Sequence, residues 1–198
     1  MPALPRWRSD TVLFVSGEAG AGKSTAVSSW VSRGVPRLSV GDELRALGAV
    51  EPSRGFGDDD TVRSLVSAFL GMSLAPSVVD GYPRRPHQVA EMLDILTGDG
   101  EVVPFRAEVW WFVLPVEEAV ARYEARSFAW SPRSGKIGPR GASCPAGGVY
   151  SEPVGALFRR RRRQQELELA LTLAELRQLE CGGLRLVVVD GAAFREVR

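Results

Sequence analysis

With 198 residues and a formal net charge of +1, the chain is long enough for one compact α/β domain and carries no global charge that would draw it to nucleic acid or a membrane. Cys144 and Cys181 stand far apart with no paired spacing, which indicates neither a zinc site nor a disulfide framework and fits reduced thiols. No apolar run approaches the roughly 18 residues of a membrane span, and the polar, proline-bearing start has no apolar signal region behind it. The expectation is therefore a cytoplasmic monomer with no membrane partner.

In chain order, five apolar runs have the character of buried strands: Thr11–Ser16, Arg37–Val40, Ser77–Asp80, Val109–Leu114 and Leu184–Asp190. Most are continuous rather than alternating, as parallel strands covered on both faces require. Helical stretches separate them: Gly22–Ser32, Asp42–Leu47, Thr61–Leu70, Arg85–Leu96, Val116–Arg126 and a long one over about Leu157–Leu179. The alternation predicts a doubly wound parallel sheet with right-handed crossovers, in which ligands bind beyond the carboxyl ends of the strands. The stretch Ser127–Gly155 breaks the pattern, being rich in Gly, Pro, Ser and Arg, and connections this long are lids or linkers. The Trp110–Trp111 pair reads as core, and His87, the sole histidine, as a helix-surface residue.

One motif is specific. Gly17-Glu18-Ala19-Gly20-Ala21-Gly22-Lys23-Ser24 satisfies GxxxxGK[ST] directly after one strand and before a helix, with Thr25 following. Glycines let successive backbone N–H groups converge on an anion, and the following helix adds its positive end. Lys23 supplies a point charge for the β and γ phosphates of a nucleoside triphosphate such as ATP, and Ser24 offers an oxygen to Mg²⁺.

Three further constellations bear on the acceptor. In Leu38-Ser39-Val40-Gly41-Asp42-Glu43-Leu44-Arg45, Gly41 and Asp42 follow a strand and Arg45 lies one turn on. Asp42 is equally readable there as an ordinary N-cap and Arg45 as a solvated residue. In Asp80-Gly81-Tyr82-Pro83-Arg84, with Gln88 downstream, Asp80 ends a buried strand where a carboxylate can hold waters of a Mg²⁺ shell. Gly81 and Pro83 turn the chain so that Arg84 projects over the strand ends for bidentate contact with phosphate. Arg122 and Arg126 share a helix face, although Glu118 four residues earlier also permits a surface ion-pair ladder.

Taken together, the P-loop, the LSVGDELR and DGYPRxxxQ segments, and a strand leading to PVEEAVARYEAR resemble adenylate kinase and its nucleoside monophosphate kinase relatives. The resemblance covers most of the chain from Thr11. It implies a three-layer P-loop NTPase fold in a single domain over residues 1–198, with a five-stranded parallel sheet, a short acceptor-binding flap over about 42–70 and a lid insertion over about 127–158. It further implies transfer of the γ-phosphoryl group of ATP to a nucleoside monophosphate, with Mg²⁺ as cofactor. The P-loop residues Gly17, Ala19, Gly20, Ala21, Gly22, Lys23, Ser24 and Thr25 would hold the donor, Arg122 would stack on its base, and Arg160 or Arg161 would reach its phosphates. Arg45 and Arg84 would hold the acceptor phosphate within a surface that includes Ser39, Gly41, Phe56, Gly57 and Gly81. Gln88 would read the acceptor base, Arg126 would reach the transferring group, and Asp42 and Asp80 would order water around the metal.

The chain also departs from the family pattern. It is shorter between Arg45 and Arg84, with Gly55-Phe56-Gly57 as the expected flap tip. Val40 stands where adenylate kinases usually have Thr, whereas Gln88 matches the adenine-reading residue, and AMP is favoured because an amide can pair with a base edge while Val cannot. The lid has no Cys cluster. After it stand Arg159 to Arg163 in place of Arg-x-Asp-Asp, and a second arginine is missing near Leu171 and Thr172. Five consecutive arginines fan around a helix, so one or two at most face one phosphate. These departures motivate two alternatives: a P-loop kinase for another small acceptor, and a nucleotide-binding module with degenerate catalysis. Nucleic acid is an unlikely partner, hinted at only by Arg159–Arg163.

Overall fold

In a computed structural model, the described residues are 7–8, 10–49, 58–73, 75–97, 107–127, 130–131, 136–137, 154–179, 184–192 and 195–197. Within these, the side chains of 123–127, 130–131, 136–137, 154–158, 160–161, 164 and 195–197 lie outside the description. The flap tip with Phe56 and Gly57, and the side chains of Arg126, Arg160 and Arg161, therefore fall beyond it.

Strands β1 (Val12–Gly17), β2 (Arg37–Ser39), β3 (Ser77–Asp80), β4 (Ala107–Val113) and β7 (Leu184–Asp190) pair in parallel in the order β2-β3-β1-β4-β7. This is the expected five-stranded parallel sheet. A sixth strand, β8 (Arg195–Val197), adds antiparallel to β7, pairing Asp190 with Arg195. Such an edge addition needs only the short turn at Gly191, whereas a parallel one would need a crossover. Outside this sheet, β5 (Trp130–Ser131) and β6 (Lys136–Ile137) form a two-stranded antiparallel ribbon within the expected lid.

The helices are α1 (Lys23–Val31), α2 (Val40–Ala46), α3 (Asp59–Met72), α4 (Pro86–Thr97), α5 (Val116–Ser127) and α6 (Val154–Gln178). Strand side chains alternate between two cores, which makes three layers. Val12, Phe14, Val79 and Trp111 pack with residues of α2, α3, α4 and α6, including Val66, Met92 and Leu176. Leu13, Val15, Trp110 and Phe112 pack on the other face with Val27 of α1 and Ala119 and Val120 of α5. Trp110 and Trp111 are both core as expected, and Trp110 meets Trp30 edge-on at 5.3 Å between ring centroids. Among the described residues no helix is long and apolar enough to cross a membrane.

Candidate nucleotide site

The strand ends converge on the glycine-rich loop because β1 is central in the sheet, flanked by β3 and β4. Gly17 has φ +103°, and a Cβ there would stand 2.7 Å from the Phe112 nitrogen and collide with its carbonyl, so glycine is obligatory. Gly22, the N-cap of α1, has φ +88° and gives no side-chain cap, leaving the first-turn amides of α1 directed toward the loop. Lys23 Nζ donates to the carbonyls of Glu18 at 2.6 Å and Gly17 at 3.2 Å, which holds the ammonium over the cradle. Ala19 is partly buried and Ala21 fully buried against the second core. Thr25 is exposed, and its carbonyl accepts from Ser28 Oγ at 2.7 Å.

Ser24 Oγ donates to Asp80 Oδ2 at 2.8 Å, joining the loop to the end of β3. The hydroxyl and carboxylate oxygens of this pair are hard donors of the kind a hydrated Mg²⁺ takes, so the residues present fit the ion. Asp80 is 5% exposed and also accepts from Arg37 Nη2. Sequence reasoning left Arg37 out. Strand parity contained the signal, because Arg37 lies two residues before Ser39 on the same side of β2, and Ser39 is in register with Asp80.

Beyond Asp80, Gly81 turns with φ +93°, and its N–H donates to the Val15 carbonyl at 2.8 Å. Ser16 Oγ donates to the Pro83 carbonyl, pinning this turn to β1. The partly buried Arg84 follows, and desolvation lowers its pKa to about 10 against the favourable charge of Asp80, so it stays a cation at neutral pH. Gln88 is 4% exposed and heavily engaged. Its Oε1 accepts from the backbone N–H of Arg84 at 2.9 Å and of Arg85 at 3.3 Å, while Nε2 donates to Asp59 Oδ1 at 2.8 Å. Asp59 at the start of α3 also accepts from Arg85 Nη1 at 2.5 Å. Burial pushes the Asp59 carboxyl up, but hydrogen bonds from Gln88 and His87 and the Arg85 charge together bring it below its ordinary value. His87, half-exposed on α4, places Nε2 3.1 Å from Asp59 Oδ2.

On the flap side, α2 begins earlier than its apolar pattern suggested, with Ser39 in the N-cap position and Asp42 inside the first turn. The reading of Asp42 as the N-cap is thereby overturned. The Ser39 hydroxyl and Arg45 hold the Asp42 carboxyl below its usual value, and Asp42 and Arg45 form an exposed ion pair. Gly41 lies beneath that pair, 3.5 Å from Arg45 Nη1 to the position of a Cβ. Buried Val40 lies against Gly81, so the flap base and the DGYPR turn adjoin. On α5, Arg122 makes the ion pair that Glu118 permitted, at 2.7 Å, and also donates to the Gly191 carbonyl at 3.0 Å, a contact its sequence position did not suggest.

Among the described arginines of the run, Arg162 faces inward. Arg162 is 9% exposed, and its Nη2 lies 2.6 Å from Glu18 Oε1 and donates to the Leu114 carbonyl at 2.7 Å. Its neighbour Arg159 pairs instead with Glu117 on α5 at 2.8 Å.

No protein-family model matches the chain. Among curated proteins, an adenylate kinase from Leifsonia xyli subsp. xyli (strain CTCB07) is 33% identical to it over 129 residues. That match takes in 58% of this chain and 63% of the relative, so it spans somewhat less than two thirds of the relative's length.

Proposed function

We propose that the chain is a nucleoside monophosphate kinase that transfers the γ-phosphoryl group of Mg·ATP to a nucleoside monophosphate, AMP being the acceptor that Gln88 favours. The observation that carries this reading is the 2.8 Å hydrogen bond from Ser24 to Asp80. It ties the phosphate-binding loop to the strand end from which Arg84 projects, so donor and acceptor halves share one junction. The similarity to an adenylate kinase supports the same chemistry. In this reading Lys23 and the loop amides hold the donor phosphates, and Arg84 and Arg45 hold the acceptor phosphate. Ser24 would offer its hydroxyl to Mg²⁺, and Asp80 and Asp42 would act on it through water. Mg²⁺ when bound supplies neutralisation of phosphate charge. Arg122 would add to the positive surroundings, as would Arg126 and Arg160 or Arg161 in the roles that the family resemblance implies. Such transfer needs positioning and charge neutralisation rather than a dedicated base.

A second reading, a kinase for another small acceptor, draws support from Gln88. Its Oε1 already accepts from two backbone N–H groups, which leaves one Nε2 hydrogen for an incoming base. The deciding experiment couples ADP release to Mg·ATP with each ribo- and deoxyribonucleoside monophosphate. Turnover with one of them well above the ATP-only background supports the first reading. Background rates throughout, with ATP binding intact, would refute it.

A further inference from the structure

We propose that Glu18 and Arg162 are positioning residues of the phosphate cradle, the α6 guanidinium neutralising a carboxylate that the loop itself carries. This rests on the donor-binding part of the function proposed above.

The glycine-rich motif leaves its second position open to any residue, and here that position holds an acid. Glu18 is tethered at every polar group. Its N–H donates to the Phe112 carbonyl at 2.9 Å, and its own carbonyl accepts from Lys23 Nζ at 2.6 Å. Its Oε2 accepts from the Leu114 N–H, and its Oε1 faces Arg162 Nη2 at 2.6 Å. Arg162 Nη2 in turn donates to the Leu114 carbonyl at 2.7 Å. A closed ring results: carboxylate, guanidinium, and the two polar groups of Leu114 just beyond the end of β4. The ring fixes the outer corner of the loop, whose amides must be aimed before a triphosphate arrives.

Electrostatics makes the pairing necessary for binding. A bare carboxylate on the loop would repel the phosphates it is built to hold, and Arg162 cancels that charge. Fold stability alone gives no reason for it. A largely buried ion pair rarely outperforms apolar packing, and Arg162 Nη1 is buried without a hydrogen-bond partner among the described residues. The pair is therefore weak evidence of a stability role, and it stands where it serves the cradle. It also ties the cradle to α6, the helix that follows the expected lid.

The test is a double-mutant cycle on the full chain, reading binding of Mg·ATP by calorimetry with no acceptor present. Arg162→Met exposes the Glu18 charge and is expected to weaken ATP binding about tenfold. Adding Glu18→Gln to it removes that charge and is expected to restore most of the loss. A purely structural role predicts the reverse, because each substitution would remove ring contacts and the double variant would bind worst. That outcome, or wild-type affinity in Arg162→Met, overturns the proposal. Should Arg162→Met fail to fold, Arg162→Lys, which keeps the charge, is expected to bind ATP within a few-fold of wild type, and a tenfold loss there overturns it equally. The readout is independent of the acceptor. Absence of turnover with every monophosphate would sink the nucleoside monophosphate kinase reading while leaving this binding pattern as expected.

Discussion

Replacing Asp80 by Asn tests the junction on which the proposed function rests. Asp80 lies almost fully out of solvent and faces the Arg37 guanidinium, whose side chain is 22% exposed, with partly buried Arg84 close in charge. Asn is nearly isosteric and keeps one oxygen that can still accept from Ser24 or Arg37, so packing is preserved and charge alone is lost. Removing one member of a buried ion pair costs about 3–5 kcal/mol. The remaining solvent contact of Arg37 lowers that to about 2–3 kcal/mol. For a domain of this size the expected fall in Tm is roughly 4–12 °C, read by calorimetry or circular dichroism. The same substitution leaves two guanidiniums without their carboxylate, so added pyrophosphate should raise the Tm of Asp80→Asn more than that of wild type. A variant as stable as wild type and indifferent to pyrophosphate would refute the claim that Asp80 neutralises this cluster.

Lys23→Ala should lower turnover at least 100-fold, from the loss of the cation over the β and γ phosphates. Its circular dichroism spectrum should be unchanged, because the residue opens α1, a position that alanine fills without disturbing the helix, and normal turnover would remove the donor-site assignment. Gly17→Ala should destabilise the fold by about 3 kcal/mol or more, since a side chain at that φ runs into the Phe112 backbone. Denaturant unfolding measures it, and wild-type stability would contradict the geometry. Asp59→Asn concerns pH. The native carboxyl titrates below its ordinary value, so its contribution is fully present above the ordinary carboxylate range and is lost as pH falls through the lowered native pKa. Wild type and variant should therefore differ in stability at pH 7 and converge in acid. A gap that persisted at low pH would show that shape rather than charge is responsible.

Much of this architecture could be read from residue pattern. Continuous apolar runs identified the parallel strands because a strand covered on both faces has no polar side to show. The glycine-rich loop was equally legible, since its spacing and flanking elements leave little freedom. What escaped were partners brought together across the sheet. Arg37 and Asp80 are 43 residues apart and meet only through the β2–β3 register. Arg162 was hidden by its own neighbours, as five successive arginines show no periodicity to choose among. The choice was nevertheless encoded downstream. Buried positions on α6 run Arg162, Gln165, Leu169, Thr172 and Leu176, alternating steps of three and four, and extrapolating back from the leucines selects Arg162. Arg160 and Arg161 had been drawn from family register, and their side chains lie outside the described residues. Gln88 stands out in the DGYPRxxxQ segment, yet its tie to Asp59 depends on how α3 packs on α4, which no local pattern reports.

The strand order carries a consequence for how the chain comes to life on the ribosome. The glycine-rich loop follows β1, but the neighbours of β1 are β3 and β4, which come later in the chain and end at Asp80 and Val113. The loop's corner contact with Arg162 comes later still, and Gly191, where a Cβ would stand 2.5 Å from the Ala21 carbonyl, comes after that. At ordinary synthesis speeds the interval from Lys23 to Arg162 is on the order of ten seconds. Throughout it the nascent loop is a flexible glycine-rich segment without its supporting walls. The cradle therefore has no finished walls until Arg162 has emerged, and any ligand-assisted folding of this loop can begin only then.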